Sequence, residues 1–199
     1  MAKRTAKTGN KAQPGRLRIV AGNWRSRLLE IADVDGLRPT SERIRETLFN
    51  WLAPRIAGAR CLDLFAGTGA LGLEALSRGA AGAVFVEKST IAVASLKNNI
   101  VTLGASAAIV HNGDANAFLR GADGGKFDIV FLDPPFAADM LGDLCRLLDE
   151  VSVLARGAQI YIEEDRSRPE VNLPEGWQVT KSKQAGNVRY SLVTPVDRS

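Results

Sequence analysis

The stretch DLFAGTGALGLEAL (63–76) decides the fold, because it joins a short apolar strand to a helix through three glycines. Gly67, Gly69 and Gly72 have the spacing G-x-G-x-x-G, and Glu87 ends the next apolar run, 20 residues after Gly67. Glycines at this spacing let the backbone turn tightly and approach a ligand at a helix N-terminus. The pattern therefore indicates a ligand-binding strand–turn–helix rather than a plain turn.

On both sides of this loop, short apolar runs alternate with helical segments. We predict strands at 61–65, 83–87, 107–111, 127–133 and 158–164, and helices near 70–78, 90–103, 114–120 and 139–154. Such alternation predicts an α/β fold, with a mainly parallel sheet and helices on both faces. Two late runs, 177–184 and 189–195, flank Gly186-Asn187 and predict an antiparallel hairpin that completes seven strands.

The segment before residue 59 has a different pattern. Residues 16–32 hold two apolar-rich runs around Gly22-Asn23, which predict a hairpin. A helix should follow, capped by Thr40 or Ser41, with an apolar stripe formed by Ile44, Leu48, Trp51 and Leu52. We therefore divide the chain into a disordered basic tail (1–15), a small hairpin-and-helix extension (16–58) and a main domain (59–199).

Composition excludes several classes of protein. No apolar run approaches the ~20 residues of a membrane span, and the basic start lacks the apolar stretch of a secretory signal. Cys61 and Cys145 have no metal-ligand spacing, so we predict no metal site and interpret both as buried free thiols of a cytoplasmic protein. His111 is the only histidine, and no nucleophile motif accompanies it.

Charge is distributed unevenly along the chain. Residues 1–60 hold 13 lysines and arginines against 5 acidic residues, whereas residues 61–199 hold 13 against 17. Basic surfaces attract nucleic acid because they displace the counterions condensed on its phosphates. The basic excess continues past the tail into patterned sequence, which favours a nucleic-acid partner over a merely solvated surface.

Acidic residues recur where the predicted strands end. Asp63 lies in the first strand just before the glycines, Glu87 ends the second, Asp114 follows the third and Asp133 ends the fourth. Open α/β sheets bind ligands along this edge. Carboxylates there would repel the pyrophosphate of NAD, but they suit a ligand that carries an ammonium, a sulfonium, ribose hydroxyls and an adenine amine. S-adenosylmethionine fits that description.

The motifs DLFAGTGALGLEALSRGA, FVEKS, NGDA and FLDPPF, in this order, resemble the Rossmann-like S-adenosylmethionine-dependent methyltransferases of class I. More narrowly, RIVAGNWRSRLL, LRPTSERIRETLFNWL and DPPF together resemble the RsmD family, which methylates N2 of a guanine in 16S ribosomal RNA. The resemblance covers roughly residues 16 to 195. It implies a monomeric enzyme that acts on this RNA within the small ribosomal subunit or an assembly intermediate.

The resemblance also implies roles for individual residues. The cofactor would be bound by Asp63, Phe65, Gly67, Gly69, Glu87, Lys88, Asp114, Ala115 and Asp133. The candidates for RNA contact are Arg25, Arg27, Arg38, Arg43 and Arg45. Arg38 and Thr40 can instead order the entrance of the site. The alternative for Arg43 and Arg45 is a solvated helix face, on which they would pair with Glu42 and Glu46.

The tetrapeptide Asp133-Pro134-Pro135-Phe136 is the predicted catalytic motif. An exocyclic amine on a base is a poor nucleophile, and the base must be extruded before it can react. Asp133 can accept one amine proton, and the Pro134 carbonyl can accept the second without a competing N–H. Phe136 can stack on the base, a contact worth ~1–3 kcal/mol in single-strand binders. The resemblance implies that the whole tetrapeptide, Pro135 included, is used in this way, as in related N-methyltransferases.

Three other functions remain open from the sequence. The first is a methyltransferase acting on another RNA or DNA base or on a protein glutamine, although glutamine-modifying enzymes typically have Asn where this chain has Asp133. The second is an NAD-dependent oxidoreductase, which the acidic strand ends disfavour. The third is a non-catalytic RNA-binding module, which predicts no affinity for S-adenosylmethionine.

Overall fold

The computed structural model describes residues 15–32, 34, 40–122, 125–135 and 140–196. The strands are β1 (Arg16–Arg18), β2 (Leu28–Glu30), β3 (Arg60–Asp63), β4 (Gly82–Glu87), β5 (Ala108–Asn112), β6 (Phe127–Leu132), β7 (Leu154–Asp165), β8 (Trp177–Ala185) and β9 (Val188–Pro195). The helices are α1 (Glu42–Leu52), α2 (Ala70–Ser77), α3 (Thr90–Leu103), α4 (Ala115–Gly121) and α5 (Leu141–Glu150).

Seven of the strands form one sheet in the order β5-β4-β3-β6-β7-β9-β8. The pairs formed among the strands β3 to β7 are all parallel, and β9 pairs antiparallel with both β7 and β8. The predicted α/β fold, its parallel sheet and its antiparallel C-terminal hairpin are therefore confirmed. From β3 the chain adds β4 and β5 on one side, and it then returns to add β6 and β7 on the other side. The glycine loop that follows β3 therefore lies at the switch point of the strand order, where such sheets bind ligands.

Two hydrophobic cores cover the two faces of the sheet. One contains side chains of α1, α2 and α3 together with β1 and β2, and the other contains side chains of α4 and α5. The predicted thiols fit this packing, since Cys61 and Cys145 are both buried and free. Among the described residues, no helix has the length and apolarity needed to cross a bilayer.

The N-terminal extension packs directly against α2. The Glu74 carboxylate accepts hydrogen bonds from the N–H groups of Val20 (2.8 Å) and Ala21 (2.9 Å). The Ser77 hydroxyl donates to the Ala21 carbonyl at 2.6 Å, and a Cβ atom added to Gly22 would lie 1.9 Å from the Ser77 carbonyl oxygen. Gly22, at φ +84°, therefore permits a close approach that fixes the extension on the main domain.

The predicted extension has the expected elements with small differences in their bounds. Strands β1 and β2 form the antiparallel hairpin, and the Ser41 hydroxyl caps α1 by accepting from the Ile44 N–H at 3.3 Å. Helix α5 is shorter than the predicted 139–154, since its cap lies at Met140 and Val151 is already extended. The predicted tail lies almost wholly outside the described residues, as do Arg38 and Phe136.

Candidate active site

The glycine loop joins β3 to α2 through backbone that favours glycine. Gly67 and Gly69 have φ of +50° and +83°, in the left-handed region, and Gly69 is the N-cap of α2. Gly72 serves packing instead, because a Cβ atom there would lie 2.2 Å from Cε1 of Phe85 on β4. The third glycine thus allows α2 to pack closely on the sheet, as this fingerprint requires.

Glu87, at the end of β4, lies beside the glycine loop and is hydrogen-bonded to it. Its carboxylate accepts one hydrogen bond from the Gly67 N–H at 2.8 Å and another from the Ser89 N–H at 2.7 Å. The side chain is half-buried, and each carboxylate oxygen keeps a free lone pair. The structure therefore brings Glu87 and the glycine loop together, as their spacing of 20 residues predicts.

Asp63 is buried beneath the same loop. Its carboxylate accepts from the Gly72 N–H at 3.1 Å and also from the Phe65 N–H. Burial raises the pKa of Asp63, these hydrogen bonds lower it and the charge of Glu87 raises it, with the net result that it lies at about 7. A cation bound nearby would favour the ionised carboxylate, so this position suits a positively charged ligand.

The end of β5 supplies the next predicted residues. Asp114 is the N-cap of α4, where one carboxylate oxygen accepts from the N–H groups of Asn116 (3.0 Å) and Ala117 (3.2 Å). Its other oxygen remains available, and Ala115 is buried beside it. Lys88 is exposed, and its carbonyl accepts from the Asn112 side chain, which links the ends of β4 and β5.

Asp133 directly follows β6, at the same edge of the sheet. Its carboxylate accepts a hydrogen bond from the Thr40 hydroxyl at 3.2 Å. Burial, and then the charge of Glu163, raise the pKa of Asp133 well above its usual range. Pro134 is buried and Pro135 is exposed. Thr40 thus connects the N-terminal extension to the predicted catalytic motif.

Glu163 is a member of the site that sequence reasoning missed. It lies near the end of β7, is 4% exposed, and accepts a hydrogen bond from the Tyr161 hydroxyl at 2.6 Å. Burial raises its pKa above the usual range. The signal was present in the sequence, because the fifth predicted strand, AQIYIEE, also ends in acidic residues.

A cavity of about 390 Å³ opens beside Pro134. Its walls are the Pro134-Pro135 turn, the start of α5 and the segment 163–172. The volume lies within the range of small-ligand sites. Polar groups face it from both sides, among them Glu163, Arg146 and Arg168. The predicted catalytic motif therefore lies between two regions, the glycine-loop edge and this cavity.

The predicted RNA-contacting arginines are not equivalent. Arg25, Arg27 and Arg43 are exposed on the extension, and Arg27 donates to the Thr102 carbonyl at 3.1 Å. Since α1 begins just after Thr40, Arg43 lies at the end of that helix nearest Asp133.

The prediction that Arg45 contacts RNA is wrong for this structure. Its side chain is 0% exposed and forms an ion pair with Glu74 at 3.0 Å. It also donates to the carbonyls of Thr40 (3.2 Å) and Arg18 (2.7 Å), and burial lowers its pKa. Arg45 precedes Phe49 by one helical turn, so it belongs to the buried face of α1.

Comparison with known proteins identifies relatives over nearly the whole chain. The family model described as "Conserved hypothetical protein 95" matches residues 17–194. "Ribosomal RNA small subunit methyltransferase D" of Escherichia coli (strain K12) is 46% identical over 94% of this chain and 93% of its own. The protein of the same name from Haemophilus influenzae is 41% identical over 89% and 93%. The solved structure of yhhF from Escherichia coli superimposes with a TM-score of 0.85 at 44% identity, over 92% of this chain and 99% of that one.

Proposed function

The chain belongs to the RsmD family of ribosomal RNA methyltransferases, and on that premise we propose that it transfers a methyl group from S-adenosylmethionine to N2 of a guanine in 16S ribosomal RNA. The names of the relatives support the RNA of the small subunit as the substrate. The choice of an exocyclic amine rests on the Asp133-Pro134 arrangement.

S-adenosylmethionine would supply an electrophilic methyl group at the glycine-loop edge of the sheet. The residues at this edge fit it, because the carboxylates of Asp63, Glu87 and Asp114 suit a ligand with positive charge, hydroxyls and an amine. Glu87 would accept from ribose hydroxyls with its free lone pairs, and Asp114 would accept from the adenine amine. Phe65, Lys88 and Ala115 would line the same edge, where they flank these acids.

The target amine would be held by Asp133 and Pro134. A residue before proline is restricted to extended backbone, which limits the directions of the Asp133 side chain. The Thr40 hydroxyl limits them further. Asp133 would accept one amine proton and the Pro134 carbonyl the other, so that the nitrogen lone pair points to the methyl group. Phe136 would stack on the base.

The extruded guanine would enter the cavity beside Pro134. The cavity has room for a purine, and the polar side chains of Arg146 and Arg168 line its wall. The exposed Arg43, at the end of α1 nearest Asp133, would bind phosphates at the entrance together with Arg38. Arg25 and Arg27 would bind RNA farther from the entrance, since their segment contacts the C-terminal ends of α2 and α3. The RNA would be presented by the small subunit or an assembly intermediate, and one copy of the chain would suffice for the reaction.

The observation that carries this proposal is that Asp133 follows β6, which lies between β3 with its glycine loop and β7, and directly precedes Pro134 in the cavity wall. The test is mass mapping of small-subunit RNA from cells that lack the protein, with complementation by variants. We expect one monomethylguanosine to disappear. Wild-type protein should restore it fully, Asp133→Asn in part and Asp133→Ala hardly at all, because the carboxylate offsets positive charge developing on nitrogen. If no methylated guanine is lost, the proposal is wrong.

A general-base role for Asp133 would give a different result. The amine proton becomes acidic only after methyl transfer, and it can then leave to water. If Asp133 had to remove it earlier, Asp133→Asn would be as inactive as Asp133→Ala. Single-turnover rates of the purified variants on small subunits and on free 16S RNA would separate these roles, and they would also identify the form of the substrate.

A further inference from the structure

Two acidic side chains lie side by side at the catalytic edge. In the parallel pairing of β6 with β7, Leu132 is opposite Ile162, so the next residues, Asp133 and Glu163, occupy the same level of the sheet. Neighbouring strands are ~4.8 Å apart and paired side chains point to the same face. Asp133 and Glu163 are therefore direct neighbours, although 30 residues separate them in sequence.

Two hydroxyl groups hold this pair in place. The Tyr161 hydroxyl donates to Glu163 Oε1 at 2.6 Å, and the Thr40 hydroxyl donates to Asp133 Oδ2 at 3.2 Å. Thr40 also lies within hydrogen-bonding reach of Glu163. A threonine hydroxyl has only one proton, so it can donate to one carboxylate at a time. Glu163, Thr40 and Asp133 thus form a single connected network.

Glu163 and Thr40 are buried and Asp133 is half-buried, and the two carboxyl groups interact. Burial raises the pKa of both carboxyl groups, and the charge of Glu163 raises the pKa of Asp133 further, since two neighbouring carboxylates resist ionising together. Among the described residues, the titratable and hydroxyl groups that interact with the pair or lie beside it are Thr40 of the extension, Asp63 on β3, Tyr161 on β7 and Tyr190 on β9. The guanidinium of Arg45 approaches only the backbone carbonyl of Thr40 and is otherwise bound to Glu74 and to the Arg18 carbonyl.

We propose that Glu163 is a positioning residue for the methyl transfer: through Thr40 and its own charge, it fixes the direction of the Asp133 side chain and the pH at which that side chain ionises. This inference rests on the proposed function, because it assigns Glu163 a role toward the same target amine. Glu163 acts on Asp133 and not on the reacting atoms.

The direction of the effect follows from the charges. In the wild type, the neighbouring carboxylate of Glu163 makes Asp133 harder to ionise. Glu163→Gln removes that charge and keeps the shape, so Asp133 should ionise at a lower pH. If ionised Asp133 is the active form, the acid limb of the rate profile should move to lower pH by roughly one unit. The amide still accepts from Tyr161, so the plateau rate should be largely retained.

The experiment is a set of single-turnover methyl-transfer rates from pH 5 to pH 9. Asp133→Asn tests whether ionisation of Asp133 causes the acid limb of the rate profile, since that limb should disappear in this variant. Thr40→Val should lower the plateau by about tenfold, the effect of losing a hydrogen bond to a charged group. Thr40→Ser should be close to wild type, because it keeps the hydroxyl. Affinity for S-adenosylmethionine should change little in the variants of Thr40 and Glu163.

The matched control is Glu164→Gln, on the same strand. Glu164 pairs with Arg189 at 3.1 Å and accepts from the Val171 N–H, so this variant also removes a paired charge whose side chain is only 10% exposed. Glu164→Gln should move the acid limb much less than Glu163→Gln does, regardless of any loss in the stability of the fold. A limb that stays at its wild-type pH in Glu163→Gln overturns the inference, as does a wild-type plateau in Thr40→Val. The proposed function fails separately, if wild-type protein methylates no guanine.

Discussion

Replacing Arg45 with alanine should lower the free energy of unfolding by about 3 kcal/mol. The guanidinium is fully buried and binds three groups, namely the Glu74 carboxylate and the carbonyls of Thr40 and Arg18. Removing one partner of a buried ion pair commonly costs ~3–5 kcal/mol, because the other charge is left without compensation.

The stability lost in Arg45→Ala should lie at the lower end of the ~3–5 kcal/mol range. Glu74 keeps the guanidinium of Arg78 at 2.9 Å and two backbone N–H donors, so its charge is still partly compensated. Against this, the carbonyls of Thr40 and Arg18 lose their donor, at about 1–3 kcal/mol for each group that stays unsatisfied. These contributions share one network and are not additive.

Urea denaturation followed by circular dichroism would measure the difference. Arg43→Ala is the matched control, since it removes an exposed arginine from the same helix turn and should change stability by less than ~0.5 kcal/mol. If Arg45→Ala unfolds like the wild type but binds RNA poorly, Arg45 contacts RNA and the buried-pair reasoning is wrong.

Two further predictions concern the cofactor and the RNA. Glu87→Ala should weaken binding of S-adenosylmethionine by about 1–3 kcal/mol in calorimetry, because hydrogen bonds to a charged group are lost; binding of NAD in preference to S-adenosylmethionine would contradict the assignment of this edge. Arg43→Glu should raise the KM for RNA and make the log–log dependence of binding on salt shallower. Arg55→Glu reverses the same charge beyond the other end of α1, and it should leave that slope unchanged. Equal slopes for the two variants would show that Arg43 lies on a solvated face.

Much of the fold was predictable because it depends on local patterns. Alternating apolar strands and helices can pack in few ways, and right-handed crossovers leave a parallel sheet as the common solution. The glycine loop was recognisable because its backbone requires glycine at Gly67 and Gly69, and because Gly72 allows close packing on Phe85. Such local requirements can be recognised from a few consecutive residues of the sequence.

The errors came from features that depend on contacts between distant segments. The charge distribution predicts a basic surface for the extension. Whether Arg45 belongs to that surface depends on how α1 is rotated against α2, which the sequence does not specify locally. Its partner Glu74 is 29 residues away, inside a helix that looked wholly structural. Glu163 was missed because it is followed by a second glutamate, and only the register of β7 against β6 decides which of the two faces Asp133.

The docking of the extension on α2 limits how this enzyme can be recombined with others. A chimera cut between residues 58 and 59 would transfer Arg45 without Glu74 and Gly22 without the surface around Ser77. It would also separate Thr40 from Asp133, and so divide the proposed reacting centre between two parents. Exchange of target specificity between relatives should therefore succeed only when the outer face of α2 and the motif at residue 133 are exchanged together with the extension.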